Sequence, residues 1–443
     1  MRGSGGRFFW QSDFVDMKWM PILRYWRKVF IMRMFSLCGV YLLLLGACQE
    51  QMSNSDCTLA ANPCAAGFVC DAATRTCISP NCTGASCTKC KASTECLDSA
   101  KPVCELPSGS CRPCAADSEC DSGLCRKAGD YPVTPPISGL MSGQCIPTSQ
   151  VVHVNSGSTS CSDSAGTPGT GAQPFCQLSA ALVSAKPYYK LAGSTVTYNG
   201  VTSTSGNFVI VGPGRDASPP ARIDSSSINS GSVVFSGVQL RIKGGIGGGT
   251  TAITCKGSSS NLYVVDSVVS GTQGIDASQD CGQLTVNRSR IQGLRGGLLI
   301  GGKGTVVTNY AITNSTVTNS GNSMFLGETC GTKISAKASG LFLYNTLTAN
   351  YEGLCCDGTQ SVSDSIVAGN TFQVSGCITS RVVESAVDLA TGIEPKLLDT
   401  PNNAACCIDK GLNPSGGAMV PTDYFGTARP RGNGYDIGFH ELK

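Results

Sequence analysis

Residues 264–271 read VVDSVVSG, and the phrase returns as VNRSRIQG at 286–293, ITNSTVTN at 312–319, LYNTLTAN at 343–350 and VSDSIVAG at 362–369. Aligned on Ser267, Ser289, Ser315, Thr346 and Ser365, the copies stand 22, 26, 31 and 19 residues apart. The common pattern is an apolar residue, a polar one, Asp or Asn, Ser or Thr, then an aliphatic pair closed by Gly or Asn. Self-similarity at a period of about 20–50 residues marks a stacked array. Within one copy, alternating apolar residues suit a strand with one side turned inward. The Asn, Asp and Gly positions suit turns that need left-handed backbone.

Stacked copies hydrogen-bond strand to strand, with coils about 4.7–4.9 Å apart. The pattern therefore predicts a mainly β chain whose larger part is a right-handed parallel β-helix. A β-sandwich is the alternative, because short strands with Gly-rich turns also describe it. FVIVGPG at 208–214 and VVFSGVQL at 233–240 are less regular and read as the first rungs. At about 23 residues per coil, the stretch from Phe208 to Leu398 holds roughly eight rungs.

Ahead of the repeats the chemistry is different. Of 26 cysteines in 443 residues, fourteen fall between Cys57 and Cys145 and ten between Cys161 and Cys407. Two even sets predict two disulfide-bonded regions formed in an oxidising compartment. The first set contains three four-cysteine units, Cys57, Cys64, Cys70, Cys77, then Cys90, Cys96, Cys104, Cys111, then Cys114, Cys120, Cys125, Cys145. Cys82 and Cys87 are left to pair with each other. Connectivity stays open, since four cysteines permit three pairings. A zinc site at Cys87, Cys90, Cys111 and Cys114 is the rival reading, weakened by the further cysteines at other spacings and the lack of a nearby histidine. These units hold few apolar residues, so bridges, at about 2–4 kcal/mol each, must supply their stability.

The second set comprises Cys161, Cys176, Cys255, Cys281, Cys330, Cys355, Cys356, Cys377, Cys406 and Cys407. The adjacent pairs Cys355-Cys356 and Cys406-Cys407 could each close a vicinal ring. The expectation is that each member bonds a different partner and pins a loop to the stack.

The N-terminal end reads as an export signal. FSLCGVYLLLLGA at 35–47 is an uncharged apolar run preceded by Arg24, Arg27, Lys28 and Arg33, the layout of a signal peptide. At about 13 residues it is short of the roughly 20 that a spanning helix needs. The aromatic segment before Met32 is long for such a signal, which favours translation from Met32 or Met34. The run ends in Leu45-Gly46-Ala47-Cys48, which resembles the lipobox of bacterial lipoproteins. That resemblance implies cleavage before Cys48, lipid on its thiol and membrane anchoring, and Gln49 favours the outer membrane or cell surface. An ordinary thiol behind a plain secretory signal is the alternative. The chain then divides into a signal at 1–47, a tether at 48–56, a cysteine-rich domain at 57–150 and the β-helix domain at 151–443.

Two phrases carry a further resemblance. GTPGTGAQPFCQLSAAL at 166–182 is similar to the opening of bacterial pectate-lyase-like β-helix proteins, where such a phrase leads into a short helix capping the first coil. DYFGTARPRGNGYDIGFHE at 423–441 resembles the C-terminal signature of choice-of-anchor Q domains. Phe439 and His440 depart from it, standing where the family has Ala and Tyr. Asp423, Gly426, Arg429, Asp436 and Glu441 match it. The segment from about 415 is read as an end cap over the last coil's unpaired edges, with Asp423, Arg429 and Asp436 as ion-pair candidates.

The resemblance brings enzymes into view, though fold alone does not decide activity. Polygalacturonases use Asn-Thr-Asp, Asp-Asp, Gly-His-Gly and Arg-Ile-Lys phrases; this chain holds only Arg241-Ile242-Lys243, ahead of the regular coils, and it reads as a chance strand. Lyase chemistry needs acids holding calcium beside a basic residue. Asp266, Asp276, Asp280 and Asp364 are available, but Asp266 and Asp364 occupy the repeated turn slot. His153 reads as linker and His440 as tail, so neither is expected to be a buried general base. No catalytic residue, metal ligand or cofactor is assigned. The net charge of +3 and a charged fraction of 14% give no dense basic face for nucleic acid. The expected function is a non-enzymatic surface lipoprotein whose β-helix binds a glycan or a protein, with a diverged polysaccharide lyase or hydrolase as the alternative.

Overall fold

A computed structural model describes strands Val69–Asp71 and Thr76–Ile78 and most of residues 90–442; the longer stretches it leaves aside there are 127–141, 243–250, 319–329, 390–396 and 412–421. The expected signal, Cys48 and the expected tether lie outside the described residues. The chain forms two compact units, dividing between Lys89 and Cys90. In the first, the two strands pair antiparallel with Cys70 opposite Cys77; the side chains of the six cysteines from Cys57 to Cys87 lie outside the described residues.

The second unit is a parallel β-helix carrying the remaining cysteine units. Its first face is a ten-stranded sheet in which every pairing is parallel, running from Val151–Val154 to Ile378–Ser380. Eight of its strands lie from Asn207–Val211 onward, as the coil estimate requires. Two rungs precede them, Val151–Val154 and Tyr188–Leu191, so the helix begins before Phe208 and His153 belongs to its first strand, not to a linker. A helix at Leu178–Leu182 lies between those rungs and buries Leu178 and Ala181 in the common core. The other two faces share long strands, Val268–Gln279 and Arg290–Ile300, each of which changes register midway.

Inside, like side chains stack. Ile210, Phe235, Val264, Val286, Ile312, Phe342 and Val362 occupy one register column, and none exceeds 1% exposure. Each such burial contributes about 1.5–3 kcal/mol, so the core is built rung by rung.

The repeated phrase makes the corner between the first and second faces. Asp266, Arg288, Asn314, Tyr344 and Asp364 all hold left-handed φ of 47° to 56°, the conformation that Asn and Asp tolerate best. After each stands a buried polar residue. The Ser267, Ser289, Ser315 and Ser365 hydroxyls donate to the carbonyl two residues back and accept an N–H from the preceding rung, as Ser289 Oγ does from Ser267 at 3.2 Å. In the fourth copy this position is Asn345, whose Oδ1 accepts the Ser315 N–H at 3.0 Å. Thr346 pairs instead with Thr316 one place further on. The true separations are therefore 30 and 20; the amide reaches the position that a hydroxyl fills elsewhere, which an alignment on hydroxyls misses.

All described cysteines from Cys90 to Cys407 are bridged. Both cysteine units join first to third and second to fourth, as Cys90–Cys104, Cys96–Cys111, Cys114–Cys125 and Cys120–Cys145. This occupies three of the four sulfurs of the zinc alternative. In the β-helix the pairs are Cys161–Cys176, Cys255–Cys281, Cys330–Cys355 and Cys356–Cys377. Cys355 and Cys356 thus bond separate partners. Cys406 and Cys407 bond each other, against expectation: Cys407 is fully buried beside Ile366, Leu397 and Ile437, where its sulfur meets aliphatic side chains.

The last cysteine unit is docked. Leu124 and Ile146 pack with Val151, Tyr188, Val209, Val234 and Tyr263, which point outward from successive rungs of the first face. The Lys190 ammonium adds a hydrogen bond to the Gly123 carbonyl.

Candidate functional site

The C-terminal segment is a strap along the turn column, and its far end packs Ile437 against Ile366 and Ala368 of the last coil. Thr422 meets the second and third members of the column, accepting from Arg288 Nη1 at 3.3 Å and Asn314 Nδ2 at 2.8 Å. Further on, Tyr435 stacks on Tyr344 with ring centres 5.7 Å apart, the Gly438 N–H donates to the Asp364 carbonyl and the Phe439 N–H to Thr346. Turn backbones leave polar groups and flat ring surface exposed at this corner, and the strap covers both.

The signature residues hold the strap's own shape. Arg429 pairs with Glu441 at 3.2 Å and donates to the carbonyls of Asp436 and Gly438. Burial lowers the affinity of its guanidinium for the proton, which Glu441 opposes. Asp423 and Asp436 are not its ion-pair partners at contact distance. The Asp423 carboxylate accepts the N–H groups of Phe425, Thr427 and Glu441, and Asp436 accepts those of Asp409 and Leu442. Gly426 supplies a φ of +82° to the turn.

The acids considered for catalysis are scattered over turns. Asp266 takes two hydrogen bonds from Arg288, at 2.8 and 2.5 Å. Asp276 accepts from the N–H and hydroxyl of Ser278, and Asp280 from the Val306 N–H. Asp364 is 1% exposed beneath the strap. His153 is half-buried; burial first, and then the Lys190 charge, lowers its imidazole below the ordinary range. His440 packs against Phe425 in the strap. Arg241 is exposed at a strand end.

Two arrangements were not foreseen. On the third face one outward column runs from Thr202 through Ser227, Thr254, Asp276, Leu299, Lys333 and Cys355 to Ser375, exposed or half-buried throughout. At about 4.8 Å per rung, it makes a flat ribbon of mixed polarity roughly 34 Å long. The second arrangement is a cavity of about 520 Å³ where the docked cysteine unit, the turn column and the strap meet. Arg215 crosses it, 3.6 Å from the Tyr424 ring centre, donating to Asp216, the Arg288 carbonyl and the Tyr424 carbonyl. Arg288 stands where the other copies have Asp, Asn or Tyr, and that departure was its signal in the sequence.

No family model, curated protein or solved structure matches the chain.

Proposed function

We propose that the chain is an exported bacterial lipoprotein, anchored through Cys48 at the outer membrane or cell surface, whose β-helix is a non-catalytic binding surface for a glycan or a protein. The carrying observation is the outward column of the third face, which offers side chains of both polarities at one fixed spacing over eight rungs. Extended partners suit such a lattice, since rigid display lowers the ordering cost of binding. The bridges favour an oxidising compartment. The likeness of residues 423–441 to choice-of-anchor Q domains supports placement among surface β-helix proteins.

Two experiments test this. The full exported chain is incubated with a polysaccharide panel, with and without calcium. Retention without cleavage is expected, and cleavage products would replace this reading by the lyase or hydrolase one. Separately, Cys48→Ser should abolish fatty-acid labelling and membrane retention.

A further inference from the structure

We propose that the junction cavity beside Arg215 is a binding pocket for a neutral saccharide unit, distinct from the third-face ribbon. The inference rests on the reading of the protein as glycan-binding and names a site and a ligand class for it.

The cavity's about 520 Å³ falls among small-molecule sites, which run from about 300 to 1,000 Å³. The loop of Arg215, the turn column and the strap are tied together by hydrogen bonds, and the cysteine unit closes the remaining side through the apolar docking of Leu124. Arg215 is fixed by Asp216, Arg288 and Tyr424; Arg288 is fixed by Asp266 and Thr422. Such walls need no reordering when a ligand enters, which removes one cost of binding.

Charge selects the ligand. Asp117, Asp216 and Asp266 line the cavity against Arg215 and Arg288, an excess of one negative charge. The guanidinium N–H groups engage protein acceptors, whereas the Asp216 side chain keeps 68% of its surface and Asp266 33%. The accessible groups are thus acceptors, suited to hydroxyl donors and repulsive toward a carboxylate or sulfate. The half-buried Phe425, held edge-on by Tyr424 and at a tilt by Phe439, supplies the apolar surface that the carbon side of a sugar ring needs. There is also room at the rim: a methyl group built on Gly214 or Gly426 would meet no atom within 4 Å.

The test uses the full chain with bridges intact, titrated by calorimetry with cellohexaose, maltohexaose, xylohexaose and mannohexaose, and with hexagalacturonate as the anionic probe. At least one neutral hexasaccharide should bind, and hexagalacturonate should bind at least about tenfold more weakly. Ala217→Trp fills the rim and Asp216→Arg inverts its exposed charge; each should weaken the neutral ligand by about tenfold or more with the thermal midpoint unchanged. These rim positions avoid the packed Phe425. Thr254→Trp on the third face separates the two readings. Loss there with normal binding in both rim variants overturns the pocket and leaves the surface reading standing. Loss in the rim variants alone supports the pocket and removes the ribbon as the glycan site. Preference for hexagalacturonate, or no binding by any neutral sugar, overturns the pocket.

Discussion

Arg429 and Glu441 form an ion pair at 3.2 Å with neither side chain exposed to solvent. Removing one member leaves the other charged and buried, which costs about 3–5 kcal/mol, while replacing both with apolar groups is often near neutral. Glu441→Leu alone should therefore loosen the strap, seen as early proteolysis in residues 422–442 and a lowered thermal midpoint. Arg429→Met with Glu441→Leu should recover most of the loss. A double variant as unstable as the single one would mean that the pair does more than neutralise charge.

Burial raises the Asp436 carboxyl above its ordinary value, although two N–H groups donate to it. A carboxyl raised on folding binds its proton more tightly in the folded state. Its stabilising contribution is full below the unfolded value of about 3.9 and is lost as pH rises through the folded value. Between those two values, falling pH should favour the folded strap through this group. Asp436→Asn, a neutral mimic of the protonated carboxyl, should remove that component, so the urea midpoint of the wild type should rise relative to the variant's as pH falls between those values. Parallel profiles would assign the pH response to other acids.

The Ser289 hydroxyl accepts the Ser267 N–H and donates to the carbonyls of Asn287 and Val264 at zero exposure. Ser289→Ala leaves a buried N–H without its acceptor, at about 1–3 kcal/mol. Ser270→Ala, half-buried on the second face, should stay within about 0.5 kcal/mol. Urea unfolding of the two variants checks the difference, and equal losses would remove the ladder as a stabilising device.

What was legible in the sequence was the period and the turn chemistry. Asp266, Asn314 and Asp364 betray left-handed corners because few residues tolerate them, and the following serines mark a repeated buried contact. The first rung was hidden because Val151–Val154 has only four residues and a bridged loop and a helix separate it from the next. Docking of the cysteine unit did leave a trace. NFVIV at 207–211 and LYVV at 262–265 are apolar on both sides, the pattern of strands covered on both faces. The cavity beside Arg215 left only the odd member of the repeat, Arg288, because it joins segments far apart in sequence. Arg429 and Glu441 both stand in the 423–441 signature, but nothing in their spacing marks them as partners.

Cys406 and Cys407 close a ring between neighbours, whereas Cys255–Cys281 closes 26 residues at zero exposure. Chain-entropy reasoning assigns the longer loop about 3.5 kcal/mol and the adjacent pair far less. Cys255→Ala with Cys281→Ala should lower stability by that order, and Cys406→Ala with Cys407→Ala only slightly. Peptide mapping of the unreduced protein should recover the closed Cys406–Cys407 ring, with Cys355 joined to Cys330 and Cys356 to Cys377. Recovery of Cys406 or Cys407 bridged to a cysteine of another peptide would refute the ring.

Val234 points outward from the first face at 3% exposure, covered by Leu124 and Ile146 of the cysteine unit. Two rungs beyond Tyr263 the same column reaches Ala311, which is partly exposed. Val234→Asp would bury a charge in an apolar contact, at a cost of several kcal/mol, unless the cysteine unit lifts away. Lifting relieves the charge without disturbing the inward core. The expected result is faster protease cleavage within residues 90–150, with the rungs from Gly231 onward still protected. Ala311→Asp should leave the cleavage pattern unchanged, because among the described residues Ala311 is not part of the apolar cluster under the cysteine unit. Equal protection of residues 90–150 in Val234→Asp and wild type would show that the unit is held chiefly by other contacts, such as Lys190 to Gly123.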